Sequence, residues 1–245
     1  MRFDILTLFP EMFEAVLDHS IIGRAKDKGI LDLHYVQIRD FAYNKHRQVD
    51  DYPYGGGMGM VMQPEPIFLA HKSVCEGLDY RPKTIYLSPQ GKPFRQSTAK
   101  RLAKEKHIIL LCGHYEGVDQ RVLDELVDME ISLGDFVLTG GELAAMAVVD
   151  ATARLIPGVL KSEEAFSEES HFSGLLEYPQ YTRPEVWHGR SVPEILLSGH
   201  HKNIAAWKRE MSIKATFQKR RGMLAKAKLS EAEKQLVQSL KEDIK

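Results

Sequence analysis

Three short stretches place glycines where a backbone could close on a ligand: IYLSPQGKPF (85–94), LLCGHYEGVDQR (110–121) and SLGDFVLTGGE (132–142). At Gly91, Gly113, Gly117, Gly134, Gly140 and Gly141 no Cβ shields the main-chain amides and carbonyls. Each stretch follows an apolar run. If those runs are neighbouring parallel strands, their carboxyl ends share one edge, where open α/β sheets bind ligands. The third loop opens a long apolar segment, ELAAMAVVDATARLI. As a helix, it would aim its first amides at the same edge and favour partial negative charge there. None of the loops is a G-x-G-x-x-G or a P-loop, which points away from NAD and ATP. In one loop, such glycines read most simply as turn residues. Three in succession at strand ends favour a pocket, in which backbone groups alone suffice to hold a purine.

Two other regions bear chemistry. YNKHRQVDDYPYGGGMGMVMQPEP (43–66) holds Gly55–Gly57 and Gly59 beside Lys45, His46, Arg47, Asp50 and Asp51. It reads either as a flexible surface loop or as a site for a phosphate backbone or a splayed base, since basic and aromatic groups interleave. Residues 201–245 carry 12 Lys and Arg against 5 Asp and Glu, a balance of +7, which leaves −8 on the first 200 residues of a chain of net charge −1. A basic end on a mildly acidic body suits an anionic partner; a solvated helical face is the plainer alternative. None of the ten His has metal-ligand spacing, and His200 and His201 are simply adjacent, so no metal site is expected.

The elements that must position these groups alternate. RFDILTLF, ILDLHYVQIRD, KTIYLS, HIILLCG and MEISLG read as strands. EMFEAVLDHSIIGRAKDKG, QPEPIFLAHKSVCEGL, RQSTAKRLAKEK, DQRVLDELVD and ELAAMAVVDATARLI read as helices. This order predicts an α/β fold, a parallel sheet with helices on both faces. HIILLCG is apolar throughout, as for a strand covered on both sides. Residues 161–175, KSEEAFSEESHFSGL, lack periodicity and read as a linker. A second unit, 176–245, starts proline-rich and turns helical, with Ile204, Trp207 and Met211 on one face and Lys208, Arg209, Lys219, Arg220 and Arg221 along or beside it.

The 245 residues suffice for one large domain, or a medium and a small one. Apolar content of 43% and charged content of 27% are those of a globular protein. No apolar run reaches membrane-spanning length, and the N-terminus reads as a strand and a helix rather than a signal peptide. The only cysteines, Cys75 and Cys112, read as reduced core residues, so a cytoplasmic protein is expected.

LTLFPEMF, YGGGMGMVMQPEPI, YLSPQG, LLCGHYEGVDQR, LGDFVLTGGELAAM, IPGVL and YPQYTRPEVW follow one another along the chain. In these motifs and their order, the sequence resembles the bacterial tRNA (guanine-N1)-methyltransferases of the SPOUT class, over almost its whole length. The resemblance implies a knotted catalytic domain over 1–160, with a trefoil knot towards its C-terminal end. It also implies an interdomain linker over 161–175 and a helical tRNA-binding domain over 176–245. S-adenosyl-L-methionine would lie in the knot. The matching positions are Tyr86, Leu87, Ser88, Pro89 and Gly91; Gly113, Tyr115, Glu116 and Gly117; and Ser132, Leu133, Gly134, Leu138, Gly140 and Gly141. The protein would be a homodimer with shared active sites. It would methylate N1 of the guanine immediately 3′ of the anticodon in tRNA, with Mg²⁺ as an indirect helper through the RNA or the active site.

That chemistry needs a base, because guanine N1 carries a proton and negative charge grows at O6 as the proton leaves. The family's charge-stabilising Arg matches Arg154, and its basic Asp aligns with Glu169, where this chain reads Glu-Ser-His-Phe. Glu keeps the carboxylate and adds a methylene; Glu168 is the neighbouring alternative. The rival readings are a SPOUT enzyme acting on ribose 2′-oxygen or another base, and a non-catalytic RNA-binding module.

Overall fold

A computed structural model describes residues 1–161 and 169–242. The chain divides into two compact units, Met1–Lys161 and Ser162–Lys245. Residues 162–168, which include Glu168 and part of the expected linker, lie outside the described residues.

The first unit is built on five strands: β1 (Arg2–Thr7), β2 (Asp32–Gln37), β5 (Lys83–Pro93), β6 (His107–Cys112) and β7 (Met129–Ser132), in the order β2-β1-β6-β5-β7. All four pairings are parallel, as the alternation of elements predicts. A short antiparallel pair, β3 (Asp50–Asp51) and β4 (Val61–Met62), closes the glycine-rich segment between β2 and the third helix.

Strand side chains alternate between two cores. Phe3, Ile5, Ile108, Leu110 and Cys112 join Phe13 and Leu17 of α1 (Pro10–Leu17) with Ala145, Val148 and Val149 of α6 (Glu142–Ala153). Leu6, Ile109 and Leu111 join Ile67 and Ala70 of α3 (Pro64–Cys75) with Val122 and Leu123 of α5 (Gln120–Leu126). All six residues of β6 are buried, which is why it reads as an unbroken apolar run. Truncating a fully buried side chain such as Phe13 to Ala should cost about 3–5 kcal/mol.

Two elements differ from the sequence reading. The first helical stretch is two helices, α1 and α2 (Ser20–Asp27), broken at Asp18–His19, with Ser20 at φ 56°. Asp18 is claimed by tertiary partners: its Oδ1 accepts from Lys26 Nζ at 2.8 Å and from Tyr35 Oη at 2.7 Å. A Cβ on Gly23 would run into the Asp18 carbonyl, so glycine is what lets the second helix start so close. β5 runs past KTIYLS to Pro93, because its register against β7 shifts between Leu87 and Lys92. The remaining helix of this unit, α4 (Gln96–Leu102), covers the sheet beside α6.

The second unit has a two-stranded ribbon, β8 (Val186–Trp187) with β9 (Arg190–Ser191), and helices α7 (Glu194–Leu197), α8 (His201–Lys219) and α9 (Glu231–Glu242). Among its described residues few are buried: Leu175, Ser212, Ile213, Thr216 and Phe217. Leu175, the last residue of the stretch read as a linker, thus belongs to this core. Thr216 Oγ1 accepts from Leu176 N at 2.8 Å and donates to Ser212 O at 2.6 Å. Ser230 and Glu233 cap α9 reciprocally, with bonds of 2.7 and 3.3 Å between side chain and backbone.

Candidate active site

β5, β6 and β7 run parallel, so the loops that leave them meet at one edge of the sheet. There they enclose a cavity of about 320 Å³. Of the positions singled out in the sequence, Tyr86, Leu87, Ser88, Pro89, Gly113, Tyr115, Glu116, Gly117, Ser132, Leu133, Leu138, Gly140 and Gly141 line it. Gly91 and Gly134 do not. A Cβ on Gly91 would come within 2.6 Å of the Glu130–Ile131 backbone, so this glycine admits β7 against the register shift in β5. A Cβ on Gly134 would stand 2.8 Å from the Phe136 ring, which itself lines the cavity.

The walls are close-set. A Cβ on Gly113 would stand 2.7 Å from the Tyr86 hydroxyl, and one on Gly141 would stand 2.8 Å from Cys112 Cα. Gly141 N donates to Gly113 O at 2.9 Å, and His114 bridges to Gly140, so the second and third loops are bonded to each other. Tyr115 is held at φ 57°, a conformation that costs a non-glycine residue about 1–3 kcal/mol and persists only where the surroundings impose it. They do: Arg39 donates to Tyr115 Oη at 3.2 Å, Glu116 N donates to Met60 O at 3.0 Å, and Met62 N donates to Gly117 O at 2.8 Å. The end of the glycine-rich segment therefore braces the second loop, a link that no local pattern announces. Asp119, at the N-cap of α5, bonds the side chain and backbone of Arg121, which holds its carboxyl below the usual range.

The electrostatics are one-sided. Glu116 and Glu130 line the cavity, and among the described residues no Lys or Arg does. Burial pushes the Tyr86 hydroxyl up to about 12 and the Cys112 thiol well above its ordinary value, so both stay neutral near pH 7. A cavity with two carboxylates and no cationic side chain suits a cationic ligand and is wrong for a phosphate.

Behind the cavity lies a polar group missed in the sequence. Glu142, the first residue of α6, is 2% exposed. Its Oε1 accepts from Thr7 Oγ1 at 2.8 Å, and its Oε2 lies 3.3 Å from His114 Nε2. Thr7 and Glu142 stand 135 residues apart, so no local pattern pairs them. An acid in the first turn of a helix is ordinary in itself.

Arg154 lies elsewhere. It is the C-cap of α6, whose 12 residues carry it about 18 Å from the loop end, and it is not among the cavity's lining residues. Glu169 begins a tight turn in the second unit, in which Phe172 N donates to Glu169 O at 3.2 Å and His171 N to Leu175 O at 2.8 Å. Glu177 N donates to Ser170 Oγ at 2.9 Å, fixing the residue after Glu169. In the glycine-rich segment, Tyr43, Tyr52, Tyr54 and Met58 are largely exposed. Of the C-terminal cations, Arg209 is committed to Glu233 at 2.7 Å, Lys208 lies over the Tyr178 ring and Arg221 over Phe217. No group of three or more His, Cys, Asp or Glu among the described residues could hold a metal, and no described helix is long and apolar enough to cross a membrane.

Comparison with known proteins places this geometry. The model of the family described as "tRNA (Guanine-1)-methyltransferase TrmD" matches residues 1–226. A tRNA (guanine-N(1)-)-methyltransferase of Ruminiclostridium cellulolyticum is 57% identical over 220 residues, which is 90% of this chain and 94% of that protein. One of Clostridium perfringens is 55% identical over 239 residues, 98% of this chain and all of that protein. One of Alkaliphilus oremlandii is 53% identical over 246 aligned residues, 98% of this chain and 99% of that protein. With its motifs, its parallel sheet and a match over nearly its whole length, the chain belongs to the tRNA (guanine-1)-methyltransferase family.

Proposed function

We propose that this protein transfers a methyl group from S-adenosyl-L-methionine to N1 of the guanine immediately 3′ of the anticodon in tRNA. The observation that carries the donor assignment is the cavity itself: glycine-walled, at the carboxyl edge of the sheet, with Glu116 and Glu130 and no lining Lys or Arg among the described residues. S-adenosylmethionine is a sulfonium with no phosphate, and when bound it supplies an electrophilic methyl group. The close-set backbone at Gly113, Gly140 and Gly141 holds the nucleoside, and the two carboxylates favour the positive charge. Tyr86, Leu87, Ser88, Pro89, Tyr115, Gly117, Ser132, Leu133 and Leu138 complete the wall, with Gly91 and Gly134 shaping it from outside.

Glu169 takes the N1 proton as the base, and Arg154 stabilises the charge that grows at guanine O6. The lone pair freed at N1 attacks the methyl carbon, and the bonding pair leaves with sulfur as a neutral thioether. Arg154 sits a helix length from the cavity of its own chain, and this supports a homodimer in which Arg154 serves the partner's donor cavity. Met12 and Val16 on α1 and Leu143 on α6, helices that pack together, are exposed and apolar, as such an interface needs. The bonds between Gly141 and Gly113 and between Gly140 and His114 support a trefoil knot, since they tie the third loop back to the second. The second unit supplies the tRNA surface, and Mg²⁺ acts through the RNA. A cytoplasmic location follows from that substrate.

The test uses labelled donor and tRNA transcripts that differ only at the base after the anticodon. Label should enter the transcripts with guanine there and appear as 1-methylguanosine. Label in the ribose, or equal label in all transcripts, would overturn the assignment.

A further inference from the structure

Glu142 is buried, sits directly behind the donor cavity and has no part in the chemistry above. Its surroundings give it a different task. Thr7 Oγ1 accepts from Phe9 N at 3.0 Å, so the hydroxyl proton is free to donate to Glu142 Oε1, at 2.8 Å. That bond anchors the carboxylate to the end of β1. The other oxygen, Oε2, faces His114 Nε2 at 3.3 Å. His114 lines the cavity, packs against Phe9 with ring centroids 5.0 Å apart, and bridges through its backbone to Gly140. Its own N–H points at Met62 Sδ, 3.2 Å away, which joins it to the braced glycine-rich segment. One side chain thus connects the end of β1, the loop after β6 and the start of α6. A Cβ on Gly140 would collide with both His114 and Glu142, so the pair fills the space beneath the glycine step.

We infer that Glu142 is a positioning residue: anchored by Thr7, it holds His114 and so locks the 113–117 and 139–141 loops into the donor-binding shape. This rests on the reading of the cavity as the S-adenosylmethionine site. The physical case is the cost of the arrangement. A carboxylate in so dry a place is expensive; replacing it together with its partners by apolar residues is often neutral or stabilising, whereas removing it alone strands them. Fold stability therefore gives no reason for the buried set as a whole, whereas two oriented acceptor oxygens on one rigid helix start are what holding a loop requires.

That contrast defines the test. Glu142→Met keeps the volume and removes both acceptors. It should lower the thermal midpoint, because Thr7 and His114 lose their acceptor, and weaken S-adenosylmethionine binding about tenfold by calorimetry on the folded protein. KM for tRNA should stay within about twofold of wild type, since Glu142 is buried. His114→Ala should weaken the donor by a similar factor, and the double variant about tenfold rather than about a hundredfold, because both changes break the same link. Donor affinity equal to wild type in a folded Glu142→Met protein overturns the inference, as does full additivity in the double variant. If Glu142→Met does not fold, wild-type donor affinity in His114→Ala overturns it alone. Wild-type protein that fails to bind the donor would instead sink the cavity's assignment, so the two failures are distinguishable.

Discussion

The two ends of α6 differ in kind. At its start, Glu142, Gly141 and Gly140 are enclosed by the loops after β5, β6 and β7, and nearly every group is bonded or packed. At its end, Arg154 caps the helix half-buried, away from that cavity. The same contrast separates the two units. The first has two dense cores and a cavity shaped in advance; the second, among its described residues, buries five and presents cations and aromatics outward. The lesson is a division of labour. Donor binding needs fixed geometry and draws on the rigid sheet edge. Arg154 and Glu169, the groups proposed to act on the RNA, are not among the residues that line that cavity.

The largest expected effect falls on the base. Glu169→Gln should reduce the single-turnover methylation rate about 10²–10⁴-fold while donor affinity stays at the wild-type value. A wild-type rate would remove Glu169 from the mechanism and break the contrast, since the second unit would then supply no chemistry. Arg154→Ala should follow, with a loss of about 10²–10³ in rate and little change in tRNA affinity. A sharper version mixes chains. If the protein is the proposed dimer, Arg154→Ala protein combined with Gly141→Val protein, whose cavity is blocked at Cys112, should regain methylation that neither variant has alone. If Arg154 serves its own chain's cavity, the mixture stays inactive.

What could be read in the sequence follows the same line. β6 was legible because burial on both faces leaves an unbroken apolar run, and the cavity because glycine is a local sign of close backbone approach. Gly91 does not line the cavity, and its missing Cβ admits β7. The break between α1 and α2 was hidden, since it rests on Ser20 at positive φ and on Lys26 and Tyr35 holding Asp18, with no proline or glycine at the break itself. Glu142 was hidden for a stronger reason. Its partners Thr7 and His114 come from the end of β1 and the loop after β6, and burial is a property of the packed fold. Arg154's place was given by resemblance alone, because a helix-end arginine looks the same whether it serves its own chain, a partner or solvent.

The smallest effects belong to the outward surface of the second unit. Lys219 and Arg220 end α8 exposed, whereas Arg209 is tied to Glu233 and to Lys228 O. If the exposed pair meets tRNA phosphates, affinity should fall steeply with salt, and each of Lys219→Ala and Arg220→Ala should lower the log–log salt slope by about 1. Arg209→Ala should act differently. It removes the partner that holds the Glu233 carboxyl below its ordinary range, so it should loosen α9 and lower the thermal midpoint, with the salt slope unchanged. Because the Glu233 carboxyl is held low, that stabilisation is present above the ordinary carboxylate range and fades as pH falls through it. The wild-type and Arg209→Ala midpoints should therefore converge in acid. Convergence together with an unchanged salt slope would mark Arg209 as a brace of the second unit; a reduced slope would move it into the group proposed to touch RNA.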